Sequence, residues 1–208
     1  MEKIVKLQNS KGEGMSVRLF RCRTDDVSHI MGLENFRYEE VQKFDRIRTE
    51  RDKKIYLFSL DEKKICELLS RDKKFLIMAV SENKALGFIS AMGVRYTKDD
   101  KNIKELYIID MVVLKEYRRL GIGHLLIETL KEYGIENGWT ELNALASADN
   151  TPIINISEKT GAMKFSRDPH SIAGNEDLTK YYYKEGDGPV FFIWNIGNTD
   201  TGRYNANM

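Results

Sequence analysis

Residues 105–124 read ELYIIDMVVLKEYRRLGIGH. The stretch from Glu105 to Leu114 is rich in Ile, Val, Leu and Met, which suits a central strand rather than one with a solvated face. From Ile122 onward, in IGHLLIETLKEYGIE, apolar residues recur at helical spacing. Between the two lies RRLGIG, residues 118–123, with glycines two apart where strand gives way to helix. Such a corner has two readings. It is a tight turn with no further role, or it is an anion cradle. In a cradle, the first-turn N–H groups, which have no intrahelical partner, and the positive end of the helix dipole receive a phosphate. Gly121 and Gly123 would keep side chains out of its way, and Arg118 and Arg119 would add positive charge. The corner has no GxGxxG and no Gly-Lys-Ser/Thr sequel, so it is neither a dinucleotide fingerprint nor a P-loop.

Working outward, FLIMAV (75–80) and ALGFISAMGV (85–94) read as two strands joined by SENK in a hairpin, and TKDDKN as a polar turn before the central strand. SVRLFRC (16–22) alternates well enough for a first strand. Thr24 with Asp25 and Asp26 predicts a helix cap and an acidic first turn, leading into a helix from Val27 to about Phe44 with Ile30, Leu33 and Phe36 inward. DEKKICELLSRD predicts a further helix with Ile65, Leu68 and Leu69 on one face. After the glycine corner, the helix runs to about Glu136 and GW at 138–139 ends it. TELNALA follows as a strand, and Asn150-Thr151-Pro152 starts a second helix that stops at Gly161. MKFSRD, LTKYYYK and PVFFIWNI look like late strands. This order of elements indicates mixed α/β with at least one crossover. The organisation expected is a leader at 1–14, one domain at 15–198 carrying a charged helical region at 37–70, and a flexible tail at 199–208.

With 208 residues the chain is long enough for a sizeable core. Its 33 basic and 32 acidic side chains leave a formal charge of +1, which gives no global attraction for nucleic acid or an anionic membrane. Cys22 and Cys66 are too few for a disulfide scaffold. With His29, His124 and His170 scattered and no CxxC pair, no metal site is expected. The start, MEKIVKLQNS, lacks the long apolar region of a signal peptide, and no apolar run reaches membrane-spanning length, so a cytoplasmic protein is expected.

Residues 105–165 resemble the acetyl-CoA-binding half of the GNAT N-acetyltransferase family. The family signature is Arg/Gln-x-x-Gly-x-Gly/Ala after a strand that ends in a Val-x-Pro-x-Tyr-Arg-like run. Here that run is Val113, Leu114, Lys115, Glu116, Tyr117, Arg118, with lysine where proline is common. Downstream, Asn150, Ile153, Ile156, Ser157, Glu158, Lys159, Gly161 and Ala162 fall at the steps of the family's second block. The resemblance implies an acyl-CoA N-acyltransferase fold: α/β, with a mixed, mostly antiparallel central sheet, a splayed parallel pair and flanking helices. It implies acetyl-CoA as the cofactor. The main chain of Arg118, Arg119, Leu120, Gly121, Ile122, Gly123 and His124 would face the pyrophosphate. Met111, Val112 and Val113 would pair with the pantetheine arm, and the next strand would splay away around Leu142 to Ala144. Asn150 matches a residue whose amide helps hold the cofactor, and by its own sequence setting it is equally an N-cap.

Acetyl transfer needs an uncharged amine, so a base must take its proton, and the departing thiolate gains from an acid. Asp110, an acid inside IIDMVV, is the candidate base, with Glu105 and Tyr107 as competitors on the same strand. Many relatives carry glutamate at the position of Tyr107. The acid of many relatives is a tyrosine; here Ser157 stands in its place. His124 reads first as an ordinary first-turn residue, and His29 and His170 give no site signal.

Acceptor recognition is expected from Phe36, Tyr38, Glu39 and Glu40 and from the aromatics Tyr181, Tyr182, Tyr183, Phe191, Phe192 and Trp194, although alternating aromatics also fill sheet cores. The partner implied is an amine-containing small molecule or peptide, with no membrane or nucleic acid, and a homodimer is left open. Two alternatives remain: a coenzyme A-binding member without turnover, suggested by Ser157, and an RNA- or ribosome-associated protein binding through RIRTERDKK and SRDKK.

Overall fold

A computed structural model describes residues 1–8, 12–31, 63, 66, 69–70, 74–98, 101–146, 150–165 and 190–197. Along the chain these give β1 (Glu2–Gln8), β2 (Gly14–Arg21), a 3-10 turn (Thr24–Asp26), α1 (Val27–Met31), β3 (Lys74–Ser81), β4 (Lys84–Lys98) and β5 (Lys101–Val113). A second 3-10 turn (Lys115–Tyr117) leads into α2 (Ile122–Glu136), followed by β6 (Glu141–Ala146), α3 (Thr151–Lys159), β7 (Met163–Phe165) and β8 (Val190–Asn195). The strands form one sheet in the order β1-β2-β3-β4-β5-β6-β8-β7. Antiparallel ladders join β1–β2, β2–β3, β3–β4, β6–β8 and β7–β8. β5 and β6 run parallel, which the α2 crossover between them permits. This is the mixed, mostly antiparallel α/β architecture expected.

The chain forms two units, Met1–Met92 with Ile109–Leu130 and Gly93–Ile108 with Lys131–Met208. In the first, β3 lies between β2 and β4, and every residue from Phe75 to Val80 is buried. That explains a continuous apolar run where a strand with one solvated face would alternate. A core cluster gathers Phe20, Cys22, Ile30, Leu76, Met78, Val80, Ala85 and Phe88, with Leu69 and Val112 packed against it. Burial pushes the Cys22 thiol up, reinforced by the nearby Asp26 carboxylate, so Cys22 behaves as a small apolar residue. β1 is an edge strand whose residues alternate in exposure.

Two local readings change. Thr24 is not the cap. It is the first residue of the 3-10 turn, and the Asp26 carboxylate accepts from the Arg23 N–H at 2.7 Å. A charged acceptor one bond longer than the threonine hydroxyl makes the stronger tie. The SENK turn is tighter than four residues, because Ser81 pairs with Lys84 and leaves Glu82 and Asn83 at the tip. Helix α1 is described as far as Met31. Leu33 and Phe36, and most of the charged region 37–70 including Ile65 and Leu68, lie outside the described residues. Within that region Ser70 N–H donates to the Cys66 carbonyl at 2.9 Å, a helical turn.

In the second unit β6 pairs with β5 on one side and β8 on the other. Leu106, Leu142, Phe192 and Trp194 are fully buried. The Trp194 indole N–H donates to Thr160 Oγ1 at 2.9 Å, and Thr160 donates in turn to the Ile156 carbonyl at 2.9 Å. The Lys131 ammonium donates to the Thr160 carbonyl at 3.0 Å, tying the C-terminal half of α2 to the end of α3. LTKYYYK and the tail from 199 lie outside the described residues. Among the described residues no helix is long and apolar enough to cross a membrane.

Candidate active site

The apolar run that dominates the sequence becomes β5, and its C-terminal end leads into the glycine corner. Leu114 N–H donates to the Leu86 carbonyl at 2.9 Å, holding the strand end against β4. The 3-10 turn follows, and Arg118 is extended. Arg119 then takes φ +65° and Gly121 φ +85°, both in the left-handed region. Glycine enters that region without cost; arginine does not.

Helix α2 begins at Ile122, and its first internal bond runs from Leu125 N–H to the Gly121 carbonyl at 3.0 Å. The N–H groups of Ile122, Gly123 and His124 therefore have no carbonyl partner within the helix. Gly121, just before them, has no side chain with which to cap them. A β-carbon built on Gly121 would meet no atom within 4 Å, so the space beside it is open. Open space beside Gly121, first-turn N–H groups without a helical acceptor and the positive end of a 15-residue helix fit a phosphate group. Arg118 and Arg119 are exposed at the corner. Arg118 Nε donates to the Val113 carbonyl at 3.1 Å, which fixes its stem to the strand end. Partial burial lowers its proton affinity, and the neighbouring Glu116 carboxylate opposes the shift.

The residues assigned to the cofactor turn thus come together in one corner, from Arg118 to His124. Met111, Val112 and Val113 are half-buried on the strand that leads to it. Among the described residues the parallel ladder pairs Glu105 with Glu141, Leu106 with Leu142 and Tyr107 with Asn143, and β5 runs on to Val113 beyond it. Asn150 sits in the second unit as the N-cap of α3, its Oδ1 accepting from Ile153 N–H at 3.4 Å. Asp110 and Tyr107 are half-buried on β5. Ser157 lies on the inner face of α3 at 1% exposure. A hydroxyl so enclosed meets a thiolate only if the thiol itself enters the interior.

Of the aromatics expected to recognise an acceptor, Phe192 and Trp194 belong to the core, and Phe191 is half-buried. Phe36, Tyr38, Glu39, Glu40 and Tyr181 to Tyr183 lie outside the described residues, as does RIRTERDKK. His29 accepts from the Arg18 guanidinium at 3.1 Å, away from the corner in sequence. Sequence reading passed over Glu141 and Asn143, polar residues at 0% and 5% exposure in β6. Their signal was alternation: ELNALA places polar groups at every second step of a strand otherwise made of Leu and Ala.

Known structures share this arrangement of elements. An aminoglycoside acetyltransferase from an uncultured soil metagenomic sample, solved with sisomicin, aligns at a TM-score of 0.54 with 19% identity, covering 70% of this chain and 87% of that one. The ribosomal-protein-S18-alanine N-acetyltransferase of Escherichia coli aligns at 0.53 with 14% identity over 89% and 97%. Arabidopsis thaliana NAA60, solved with acetyl-CoA, aligns at 0.55 with 13% identity over 86% and 99%. At these identities the likeness is one of fold. The sequence profile of the acetyltransferase (GNAT) family matches residues 36–162, more than half of the chain and the whole glycine corner. The chain belongs to the acetyltransferase (GNAT) family.

Proposed function

We propose that the protein transfers the acetyl group of acetyl-CoA to a primary amine of a small molecule or peptide. The observation that carries this reading is the corner between β5 and α2, where open space beside Gly121 meets uncapped N–H groups. The main chain from Arg118 to His124 takes the pyrophosphate, with Arg118 and Arg119 adding charge. The main chain of Met111 to Val113 pairs with the amides of the pantetheine arm, and the Asn150 side chain assists in holding the cofactor. Acetyl-CoA supplies the thioester. The amine nitrogen forms a bond to its carbonyl carbon, the carbon–sulfur bond breaks, the amine gives up a proton and the thiolate gains one. Asp110 takes the proton from the amine, directly or through water, with Tyr107 as the competing group. Ser157 is the candidate partner of the thiolate.

Calorimetric titration with acetyl-CoA, followed by a thiol-release assay over a panel of amines, tests the reading. Binding with a dissociation constant of roughly 1 μM to 1 mM is expected, and no heat at millimolar cofactor rejects it. Asp110→Asn lowers turnover by about 10²-fold or more and reshapes the pH–rate profile; an unaltered profile removes Asp110 as base. A second reading, coenzyme A binding without turnover, is favoured by one observation, the enclosure of Ser157 where relatives carry tyrosine. Binding with no thiol released from any amine in the panel supports it.

A further inference from the structure

Strand β1 lies at the edge of the sheet, paired with β2 on one side. One bond shows which of its main-chain groups serve that side. Arg21 N–H donates to the Met1 carbonyl at 3.2 Å, and the register that sets Glu2 opposite Phe20 puts Met1 opposite Arg21. In an antiparallel ladder a residue exchanges both bonds with the one opposite, and its next neighbour exchanges none with that strand. Met1, Lys3, Val5 and Leu7 therefore bond to β2, while the N–H and C=O groups of Glu2, Ile4, Lys6 and Gln8 point away from it. The same alternation holds across β2, where Cys22 N–H donates to the Leu76 carbonyl on the β3 side. Among the described residues no strand receives the outward groups of β1.

Sheet edges are commonly blunted by a bulge, a proline or charge. β1 has no bulge and no proline: it pairs with β2 from Glu2 to Gln8 without a break in register. Ile4, near its middle, is 67% exposed. Its charges are placed to attract a copy of the same strand. A closed two-fold pair sets such a strand antiparallel to itself. Because the outward groups belong to even-numbered residues, only registers that set even opposite even are bonded. With Ile4 opposite the partner's Ile4, Glu2 falls opposite the partner's Lys6, and Lys6 opposite the partner's Glu2. Slid by two residues one way, Lys3 meets the partner's Lys3; slid the other way, Ile4 meets the partner's Lys6. Only the register centred on Ile4 sets unlike charges face to face, and it does so at both ends of the ladder.

We propose that β1 is a self-association edge, through which two copies of the chain join their sheets by antiparallel β1 strands centred on Ile4. The main chain of Glu2, Ile4 and Lys6 exchanges hydrogen bonds with that of the partner's Lys6, Ile4 and Glu2. The two Ile4 side chains lie on one face and cover each other. The charge that would repel a foreign strand here selects the right one, since Lys6 is answered by the partner's Glu2. Glu2 also lies 3.7 Å from Arg18, yet its side chain is 58% exposed and a carboxylate accepts from more than one donor. A single pair of strands belongs to the small end of specific interfaces, below about 1,200 Å². Monomer and dimer therefore exchange in the micromolar range. The inference is independent of the transfer reaction proposed above.

The test is analytical ultracentrifugation of the full chain, from low micromolar to near-millimolar concentration. The weight-average mass should rise from one chain towards two and stop there. Ile4→Pro removes an outward N–H and no bond of the β1–β2 ladder, a position where an edge strand tolerates proline; it should weaken association by about tenfold or more. Glu2→Lys and Lys6→Glu should each stay monomeric, because like charges then face each other across the two-fold axis. Mixed in equal amounts, the two charge variants should associate again. Positions 2 and 6 then carry lysine in one chain and glutamate in the other, and each faces its opposite. High salt should weaken that association. The charge variants alter exposed side chains alone, so they decide the matter if the proline variant does not fold. A monomer at every concentration would overturn the proposal. A dimer that persists in Ile4→Pro and in both charge variants would place the contact elsewhere and overturn it as well. So would a mixture of the charge variants that stays monomeric, or a mass that climbs past two chains.

Discussion

Helices α2 and α3 both begin where an extended segment turns, and they treat their first N–H groups in opposite ways. In α3, Pro152 removes one donor, and Ile153 and Ile154 both donate back to Asn150, through its carbonyl at 3.0 and 3.1 Å and its side chain at 3.4 Å. That helix start is closed by its own chain. In α2, the preceding residue is a glycine without a capping side chain, the N–H groups of Ile122, Gly123 and His124 have no acceptor within the helix, and a β-carbon on Gly121 would meet nothing within 4 Å. A helix start closed by its own cap serves stability; one left uncapped beside open space is suited to a ligand. Openness alone does not make the difference. Gly161 has nearly the same backbone, φ +84°, and equally open surroundings. It ends α3, however, where Gly161 and Ala162 N–H groups close onto the Glu158 and Ser157 carbonyls at 3.0 Å each. At that end the dipole is negative and no donors are on offer.

The sharpest way to break the contrast is to put the same side chain on both glycines. Gly121→Val and Gly161→Val should each cost about 1–2 kcal/mol of stability, because a branched residue is strained at positive φ. Only Gly121→Val should also reduce acetyl-CoA affinity, by about 100-fold, because its methyl groups occupy the phosphate space. Chemical denaturation and calorimetry on both variants separate the two effects. Equal affinities would show that the open corner receives no phosphate.

Arg118→Ala is the next largest. It removes a charge from the corner and the Nε bond to the Val113 carbonyl. Acetyl-CoA affinity should fall about tenfold at low salt and less at high salt, since charge-assisted contacts near the surface are screened. A loss independent of ionic strength would mean that Arg118 acts by holding the strand end rather than by meeting the anion.

At the other helix the question is whether Asn150 is only a cap. Asn150→Ala should cost about 1 kcal/mol, and, on the reading proposed here, about threefold in acetyl-CoA affinity. Asn150→Ser keeps a capping oxygen and shortens the side chain. It should restore the stability and leave the affinity loss in place; an affinity unchanged in both variants assigns Asn150 to the helix alone.

The same contrast shows what the sequence made legible. Asn150-Thr151-Pro152 announces a capped helix because each residue type acts locally: an amide that accepts, a proline that needs no donor. The corner at 118–123 was legible as a glycine turn between strand and helix for the same reason. The pairing of Glu105 with Glu141 and of Glu141 with Asn195 was not, because it exists only once β8, the last strand described, inserts between β6 and β7. No local pattern encodes that pairing. The hairpin between β4 and β5 was legible only as a polar turn. Polar residues nonetheless extend both strands, to Lys98 and from Lys101, with Thr97 donating to Asn102 at 3.0 Å across them. Cross-strand hydrogen bonds hold a solvated hairpin together where apolar periodicity has already ended. Ser157 could be read as a departure from tyrosine, but its enclosure depends on packing that neighbours in sequence do not reveal.

Arg119 is the residue at which local propensity and structure disagree most directly, and it gives the smallest and most informative change. Its φ of +65° is one that arginine pays for and glycine does not. Arg119→Gly should relieve strain of about 1 kcal/mol, less what the more flexible unfolded chain takes back, for a net gain of about 0.5 kcal/mol. If the left-handed turn is merely tolerated, acetyl-CoA affinity will be unchanged or slightly higher, because the corner adopts its shape more readily. If the guanidinium contributes to the anion site, affinity will fall by about threefold even as stability rises. The second outcome is expected. A strained arginine kept beside an unstrained glycine makes sense where its charge is needed, and a variant that gains in both measurements would return the corner to the class of α3, a turn that serves only the fold.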